Sequence, residues 1–258
     1  MDVLLDELPF WQAGLAFLAI NVVLHGAAIL AGELVYRLRP AAHIQPAPAA
    51  VTRAEVALSA LTVLLNVAIT CAGLALYRAG VIALPRGLSA WVLVDLVVFT
   101  LAMDGLMYGL HRVAHLGPIY RLIHRVHHAY DNPTATALYA LHPGEVLGFG
   151  SLWVVLLCVW DFSLGSVVGY TALNLVFGLV GHLGIEVFPA GWARGPVTGL
   201  VSTATFHNQH HASPTHNMGF YTTIWDRWFG TLHPAYEAEF EANARRGWGG
   251  RAATPVEA

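Results

Sequence analysis

The chain has 258 residues, of which 56% are hydrophobic and only 11% are charged. A soluble domain averages about 25% charged residues, so this composition excludes an ordinary water-facing surface and predicts an integral membrane protein. The net charge is -3 and all 13 basic residues are arginine, which excludes the broad basic field that binds nucleic acid.

Five apolar segments follow one another along the chain. They cover about residues 13–36, 55–77, 90–110, 146–160 and 166–187. A helix needs roughly 20 apolar residues to cross a ~30 Å hydrocarbon core, and only the fourth segment is shorter than this. The sequence therefore predicts an all-α, polytopic membrane protein with four or five transmembrane helices.

The segments between these helices indicate how the helices are connected. The acidic start MDVLLDELP lacks the basic region and the cleavage site of a signal peptide, so we expect a retained anchor. The proline- and alanine-rich stretch 39–53 predicts a linker between the first two helices. Only the short stretch DFSLG separates the last two segments, which predicts a helical hairpin.

Arginine counting predicts the orientation. Eleven of the 13 arginines fall on one side of a five-span arrangement, and only Arg78 and Arg86 fall on the other. The arginine-rich side of a membrane protein is normally the cytoplasmic side. We therefore expect the loop 111–145 and the tail 188–258 to form a histidine-rich helical cap on the cytoplasmic side of a bacterial inner membrane.

Histidines are concentrated in three short motifs of this predicted cap. HRVAH (111–115) has spacing i, i+4, whereas HRVHH (124–128) and HNQHH (207–211) both have spacing i, i+3, i+4. Residues three and four apart share a helix face, and neutral imidazoles can converge there on iron, zinc, copper or nickel. A lone histidine at a membrane boundary is usually an interfacial or packing residue, but three matched clusters predict a metal site. Eight ligands exceed what one tetrahedral zinc ion uses, so we expect two ions with open positions for a small molecule. The predicted ligands are His111, His115, His124, His127, His128, His207, His210 and His211.

Further polar residues lie near these motifs. Asp104, Tyr108, His111 and His115 follow one stripe of the third helix, so Asp104 is expected either to orient a ligand imidazole or to hold another helix. In GHLGIE, His182 is predicted as a ninth ligand. Glu186 is interpreted as either an interfacial charge or a site residue.

Taken together, the motifs resemble the fatty acid hydroxylase and sterol desaturase superfamily of membrane-bound di-iron oxygenases. The order H-x-x-x-H, H-x-x-H-H, membrane hairpin, H-x-x-H-H is similar to that family's order. ALHPGE (140–145), GHLGIE and TIWDRWFGT (223–231) resemble three other sequence elements of that family. One departure is THNMGF, where Met218 replaces an aromatic residue. We assign 1–89 to N-terminal transmembrane helices and a linker, 90–232 to a fatty acid hydroxylase-like catalytic domain, and 233–258 to a disordered tail.

The resemblance implies two non-haem iron ions that activate O2 and a lipid substrate whose C–H bond is hydroxylated or desaturated. It implies Glu145, with Asp104, as acidic residues of the active site. His142 and His216 are either further ligands or donors to ligands. Because no dinucleotide, haem-attachment or cysteine-cluster motif is present, a separate ferredoxin, cytochrome or reductase is expected to supply electrons.

Two other classes of function are compatible with histidine-rich membrane helices. A metal transporter would distribute its ligands across the bilayer, whereas these clusters fall on one predicted side. A haem-type electron carrier would place single histidines on facing helices. Both stay as alternatives that metal content and absorption spectra would distinguish.

Overall fold

A computed structural model describes residues 3–45, 50–87, 89–130 and 134–248. In these ranges the chain is helical and contains no strand, which confirms the all-α prediction. The α-helices of this part of the chain are α1 (Phe10–Leu38), α2 (Arg53–Arg78), α3 (Trp91–Ala114), α4 (Gly117–Ile119), α5 (Arg125–His128), α6 (Pro143–Val159), α7 (Leu164–Gly181), α8 (Ala204–Ala212), α9 (Ile224–Phe229) and α10 (Tyr236–Trp248).

Four of the described helices, α1, α2, α3 and α7, are long and apolar enough to cross a membrane. The fifth apolar helix, α6, has 17 residues and is shorter than a standard span. The prediction of four or five membrane helices is therefore confirmed by length and composition.

Local sequence signals explain where two of these helices begin. At the start of α2, the Thr52 hydroxyl accepts a hydrogen bond from the Glu55 amide at 3.1 Å, and the Glu55 carboxylate accepts one from the Thr52 amide. This reciprocal capping box satisfies two amides that the helix itself leaves unpaired. At the start of α6, the His142 ring caps the helix and Pro143 occupies its first turn, where a missing amide costs nothing.

Helix α3 is the central element of the bundle. It packs against both α6 and α7, while α2 packs against α1 and α6. At Gly150 of α6, a Cβ atom would lie 2.5 Å from the Ile69 side chain, so glycine permits the close approach of α2. The predicted hairpin of α6 and α7 has its short connection, but its two arms pack mainly against other helices because α3 lies beside both.

The loops that carry the histidines meet at one end of the bundle. At this end α1, α3 and α7 finish and α2 and α6 begin, so residues 115–130, 134–142 and 182–248 form one layer, called the cap below. The expectation that distant histidine loops share one face is confirmed.

The predicted disordered tail is wrong for residues 236–248, which form α10. Tyr236, Phe240 and Ala244 are spaced by one helical turn each and are completely buried. They pack against Ala193 and Phe206 of the cap. Their burial supplies the apolar contact that a short helix needs for stability. The remainder of the predicted tail, 249–258, lies outside the described residues.

Candidate metal centre

Nine imidazoles, eight from the cap and that of His111 from the end of α3, lie in two groups. Within each group, one nitrogen of every ring lies within 4.8 Å of one nitrogen of every other ring. Group A contains His111, His115, His124, His128 and His210, and group B contains His127, His182, His207 and His211. All nine histidines that the sequence predicts most directly, including His182, are therefore brought together.

The spacing i, i+3, i+4 divides each motif between the two groups. In HNQHH, His207 and His211 belong to group B, whereas His210 belongs to group A. HRVHH is arranged in the opposite sense, since His127 alone belongs to group B. Residues at i+3 and i+4 are about 100° apart around a helix, so the two rings flank the first one on opposite sides. Each of these two motifs therefore contributes imidazoles to both groups.

A π-turn over Tyr120–His124 precedes α5. Such turns insert an extra residue into the helical ladder and are frequent at functional sites. Here the turn ends at His124, which lies 3.0 Å from His111 through their Nε2 atoms. The first histidine of HRVHH, His124, is therefore also the last residue of the π-turn.

The Nε2 atoms of group A face one another. His115 Nε2 lies 3.2 Å from the Nε2 atoms of both His111 and His210, and His128 Nε2 lies 3.1 Å from that of His210. In group B, His207 Nε2 lies 3.3 Å from His182 Nε2 and 3.1 Å from His211 Nε2.

In three of the nine rings the opposite nitrogen, Nδ1, contacts a backbone carbonyl. His111 Nδ1 lies 2.8 Å from the Met218 carbonyl, and His182 Nδ1 lies 2.9 Å from the Gly178 carbonyl. His210 Nδ1 lies 2.7 Å from the carbonyl of His216. Carbonyl oxygens only accept hydrogen bonds, so these Nδ1 atoms carry the proton and the corresponding Nε2 atoms carry lone pairs.

Glu145 fixes His124 in the same way. Its Oε1 lies 2.9 Å from His124 Nδ1, and both side chains are buried. Metal-binding histidines commonly donate their outer nitrogen to a carboxylate or carbonyl, which sets the tautomer and orients the ring. Glu145, which the resemblance implies as an acidic residue of the active site, is thus hydrogen-bonded to a candidate ligand.

These contacts fit a pair of metal ions. When both rings are neutral and protonated on Nδ1, the Nε2 atoms of His111 and His124 each carry a lone pair, so no hydrogen bond joins these atoms at 3.0 Å. Two facing lone pairs at this distance repel each other unless a cation lies between them. Nitrogens bound about 2.1 Å from one ion and about 90° apart are separated by ~3.0 Å, which matches the observed distances. The donor set also suits borderline metal ions such as iron and zinc.

Burial lowers the pKa of seven of the eight imidazoles of the cap and so favours their neutral form. It is the main cause that lowers the pKa of His115 and of His128 to about 3, and repulsion from the His124 imidazole adds to it. Burial lowers the pKa of His182 to about 4, and it lowers that of His210 well below the usual range. Neutral imidazole is the form that binds a metal ion, so these rings are ready to bind at neutral pH.

Asp104 does not contact an imidazole. Its carboxylate is completely buried and accepts hydrogen bonds from the amides of Tyr221 and Thr222, the Thr222 hydroxyl and the Trp225 indole. Of the two roles expected from the sequence, the structure therefore gives Asp104 the one of holding another segment. It fixes the segment that follows Met218, whose carbonyl orients His111.

His142 and His216 lie outside both groups. His142 Nδ1 accepts a hydrogen bond from the Gly144 amide at the start of α6. The His216 ring contacts the Ser213 and Thr215 hydroxyls, and only its backbone carbonyl contributes to the site, through His210. Neither ring is positioned as a further ligand within the described part of the chain.

Two further buried carboxylates support the site: Glu186, which was expected to be either an interfacial charge or a site residue, and Asp226, for which the sequence predicted no role. Asp226 accepts hydrogen bonds from the amides of Met218 and Gly219, both at 2.7 Å, and so fixes the carbonyl that orients His111. Glu186 accepts from the amide and the hydroxyl of Thr205 at the start of α8. Burial raises the pKa of both carboxyls, and these hydrogen bonds oppose the shift. The available signal was the motif TIWDRWFGT, which contains Asp226.

Comparison with known proteins gives a consistent result. The model of the family described as Fatty acid hydroxylase matches residues 96–231. Methylsterol monooxygenase erg25A of Aspergillus fumigatus is 34% identical over 144 residues, covering 54% of this chain and 46% of that protein. Lathosterol oxidase of Mus musculus is 32% identical over 160 residues, covering 57% and 48%.

A third relative, with lower sequence identity, is named for a different activity. Very-long-chain aldehyde decarbonylase GL1-1 of Oryza sativa subsp. indica is 28% identical over 158 residues, covering 57% of this chain and 24% of that protein. The chain spans about half of the length of the first curated relatives that it matches. No solved structure matches it.

Proposed function

This chain belongs to the fatty acid hydroxylase family, and we propose that it is a membrane-bound oxidoreductase that uses O2 to hydroxylate or desaturate a C–H bond of a lipid. The observation that carries this proposal is the convergence of nine neutral imidazoles in two adjoining groups. The site is built from three histidine motifs and His182, and buried carboxylates support it. This arrangement of imidazoles is suited to binding metal ions.

Two non-haem iron ions, one in each group, would supply the activation of O2. Group A offers five imidazoles and group B offers four. Glu145, in the first turn of α6, would keep His124 of group A in its neutral tautomer. In this proposal O2 is the co-substrate and the Nδ1 contacts of the ligands hold the rings in place during turnover.

A lipid substrate is supported by the position of the site. The imidazoles of His111 and His182 lie at the ends of apolar helices α3 and α7, so a lipid in the bilayer can approach the site from the side. Two of the three relatives above are named for sterols and one for an aldehyde. We therefore propose a fatty acyl, sterol or other isoprenoid lipid as the substrate class.

The proposed location is the cytoplasmic side of a bacterial inner membrane. Of the arginines in the described residues, those in the cap and beside it are far more numerous than Arg78 and Arg86 at the other end of the bundle. This asymmetry favours the cytoplasm for the cap. Electrons would then come from a soluble or membrane-bound ferredoxin, cytochrome or reductase.

The two alternative functions are less compatible with the site. A haem needs two ligands on opposite faces of a flat macrocycle, whereas the Nε2 atoms of His111 and His124 are only 3.0 Å apart. A transport pathway needs ligands along the bilayer, whereas both groups lie in one layer at the bundle end.

A comparison of lipid extracts tests the proposed function. Cells that express the chain are compared with cells that express the His124→Ala variant at the same level. We expect a lipid that has gained one oxygen or lost two hydrogens only with the unchanged chain. Identical lipid profiles, together with fewer than one iron per purified chain after iron loading, would contradict the proposal.

A further inference from the structure

A cavity opens beside group A. Its volume is about 370 Å³, and its lining includes Arg112, His115, Tyr120, Thr215 and Met218. His115 is only partly buried, whereas the other four histidines of group A are buried. The cavity therefore gives access from the protein surface to one edge of one candidate ligand.

That edge is the outer side of the imidazole. His115 Nε2 faces His111 and His210, so the part of the ring that lines the cavity is directed away from the group. Within the described residues no hydrogen bond is made to His115 Nδ1, whereas His111, His124 and His210 each use Nδ1 for a fixed contact. His115 thus combines a direct place in group A with an outer edge open to the surface.

Arg112 lines the cavity, and Arg121 and Arg125 lie in the chain segment that begins at the lining residue Tyr120. Arg112, Arg121 and Arg125 are exposed, and in the described parts of the chain none of them has a carboxylate partner. Between Asp104 and Glu145 the sequence contains a single acidic residue, at position 131, which lies outside the described residues. This face consequently carries a local excess of positive charge.

The rest of the cap does not share this property. Arg194 and Arg227 lie 4.0 and 3.6 Å from the Glu237 carboxylate, and Arg245 lies 3.7 Å from that of Glu241. Arg246 donates to the Asn243 side chain instead. Within the described part of the cap, Arg121 and Arg125 are thus the arginines for which no hydrogen bond or carboxylate contact is found, and both lie near Arg112 in the sequence.

We propose that this basic face is the docking surface of an acidic electron-donor protein, and that electrons enter the metal centre through the exposed edge of His115. The proposal rests on the proposed function, because only an O2-dependent reaction requires the donor. In a hydroxylation, R–H, O2, two electrons and two protons give R–OH and water. The docked donor is oxidised by one electron in each of two encounters, or by two in one, and the protons come from water.

Charge and distance both support this assignment. Complementary charge raises the rate of encounter between two proteins by about 10- to 1,000-fold, and salt screens the effect. Electron transfer slows steeply with distance, so an exposed ligand edge gives the shortest route to the ions. Anionic lipid headgroups would also neutralise the arginines, but they would not explain a cavity that ends at His115.

The test uses the full-length, iron-loaded protein in vesicles of uncharged phosphatidylcholine. A plant-type [2Fe–2S] ferredoxin of strongly negative net charge, with its reductase and NADPH, is the donor. The variant Arg112→Glu reverses one charge at the cavity, and Arg245→Glu is the matched control, since Arg245 is exposed and lies in the cap away from this face. The dissociation constant of oxidised ferredoxin for the metal-free protein in the same vesicles is measured at low and high salt, and we expect it to rise about tenfold in Arg112→Glu at low salt. Product formed per minute by the iron-loaded protein is measured at both salt concentrations, and a single turnover is measured with chemically reduced protein and O2.

We expect Arg112→Glu to lower the ferredoxin-driven rate about tenfold at low salt. At about 0.5 M salt, where charges are screened within a few ångströms, the rate of the variant should approach that of the unchanged protein. The control should stay within about twofold, and the chemically driven turnover should be the same in all three proteins. If Arg112→Glu also impairs the chemical turnover, Arg121→Glu replaces it in the same comparison.

Three results would overturn the docking proposal. The ferredoxin-driven rates of the Arg112→Glu variant and the unchanged protein could be equal, or the unchanged protein could turn over when reduced chemically but not when reduced by ferredoxin. The third is a loss of rate in the variant that occurs only in vesicles of anionic lipid. The last result would assign the arginines to headgroups. Absence of product from chemically reduced, unchanged protein would instead contradict the proposed function.

Discussion

The hydrogen bond between Glu145 and His124 allows a quantitative test of the metal centre. The substitution Glu145→Gln keeps an oxygen that accepts from His124 Nδ1 but removes the negative charge. Glu145→Ala removes the acceptor and leaves a buried N–H group unpaired, because both side chains are almost completely buried. The two variants therefore separate the effect of charge from the effect of the hydrogen bond.

The magnitudes follow from the strength of such contacts. A hydrogen bond to a charged group contributes about 1.5–3 kcal/mol and a neutral one about 0.5–1.5 kcal/mol. The difference of about 1 kcal/mol predicts a five- to tenfold loss of metal affinity for Glu145→Gln, since about 1.4 kcal/mol corresponds to a factor of ten. An unpaired buried N–H costs about 1–3 kcal/mol, which predicts a loss of about 10- to 100-fold for Glu145→Ala.

Only group A should be affected, because Glu145 contacts no histidine of group B. Purified protein is dialysed against a series of chelator concentrations, and the metal bound per chain is measured by mass spectrometry. We expect one of two ions to be released at lower chelator concentration in each variant, in the order Ala before Gln. Equal retention of both ions in all three proteins, or parallel loss of both, would refute this assignment of Glu145.

Further outcomes follow from the same contacts. His127→Ala should release metal from group B and His210→Ala from group A, each abolishing turnover while fractionation still finds the protein in the membrane; full metal content and turnover in both would contradict the site. Asp104→Asn places an amide among four donors, so it should lower the unfolding temperature in detergent and reduce turnover about 10- to 100-fold; unchanged values would count against its role in holding the loop. In metal-free protein, His115 and His128 have a folded-state pKa of about 3 and an ordinary value of 6.5. Below pH 6.5 the unfolded chain then binds more protons, so stability should fall as the pH is lowered from about 6.5 towards 3 and should not depend on these groups above 6.5. Thermal unfolding at pH 7.5 and 5.5 checks this, and an unfolding temperature that is the same or higher at pH 5.5 would contradict it.

Much of the site could be predicted because helical spacing is a local property. The motifs around His111, His124 and His207 identify eight candidate ligands, and GHLGIE adds His182 as the ninth. The hydropathy pattern identifies the spans that bring them to one end. The division into two groups could not be predicted with the same ease. It depends on the direction in which each short helix faces, and this direction is set by packing of the whole cap.

Asp104 illustrates the limit of the same reasoning. Its position on one helical stripe with His111 is correct, but a stripe does not specify what lies opposite it. The segment around Tyr221 comes from more than a hundred residues later and occupies both carboxylate oxygens. The helix α10 was missed for a related reason: its apolar face is narrow, and its charged residues resemble a solvated tail.

The distribution of carboxylates around the candidate metal centre explains why Glu145 is the first residue to test. Asp104, Asp226 and Glu186 are completely buried, yet each accepts hydrogen bonds from backbone amides and contacts no imidazole. The ligand shell is therefore composed of neutral rings, and the positive charge of two bound ions would be compensated mainly from outside it. Among the described residues, Glu145 is the carboxylate that is hydrogen-bonded to a histidine of either group. Its charge acts close to group A and further from group B, so it would stabilise the more oxidised state of one ion more than that of the other. Two ions with similar ligands would thereby differ in reduction potential, and a difference of this kind depends on the hydrogen bonds around a metal site as much as on its ligands.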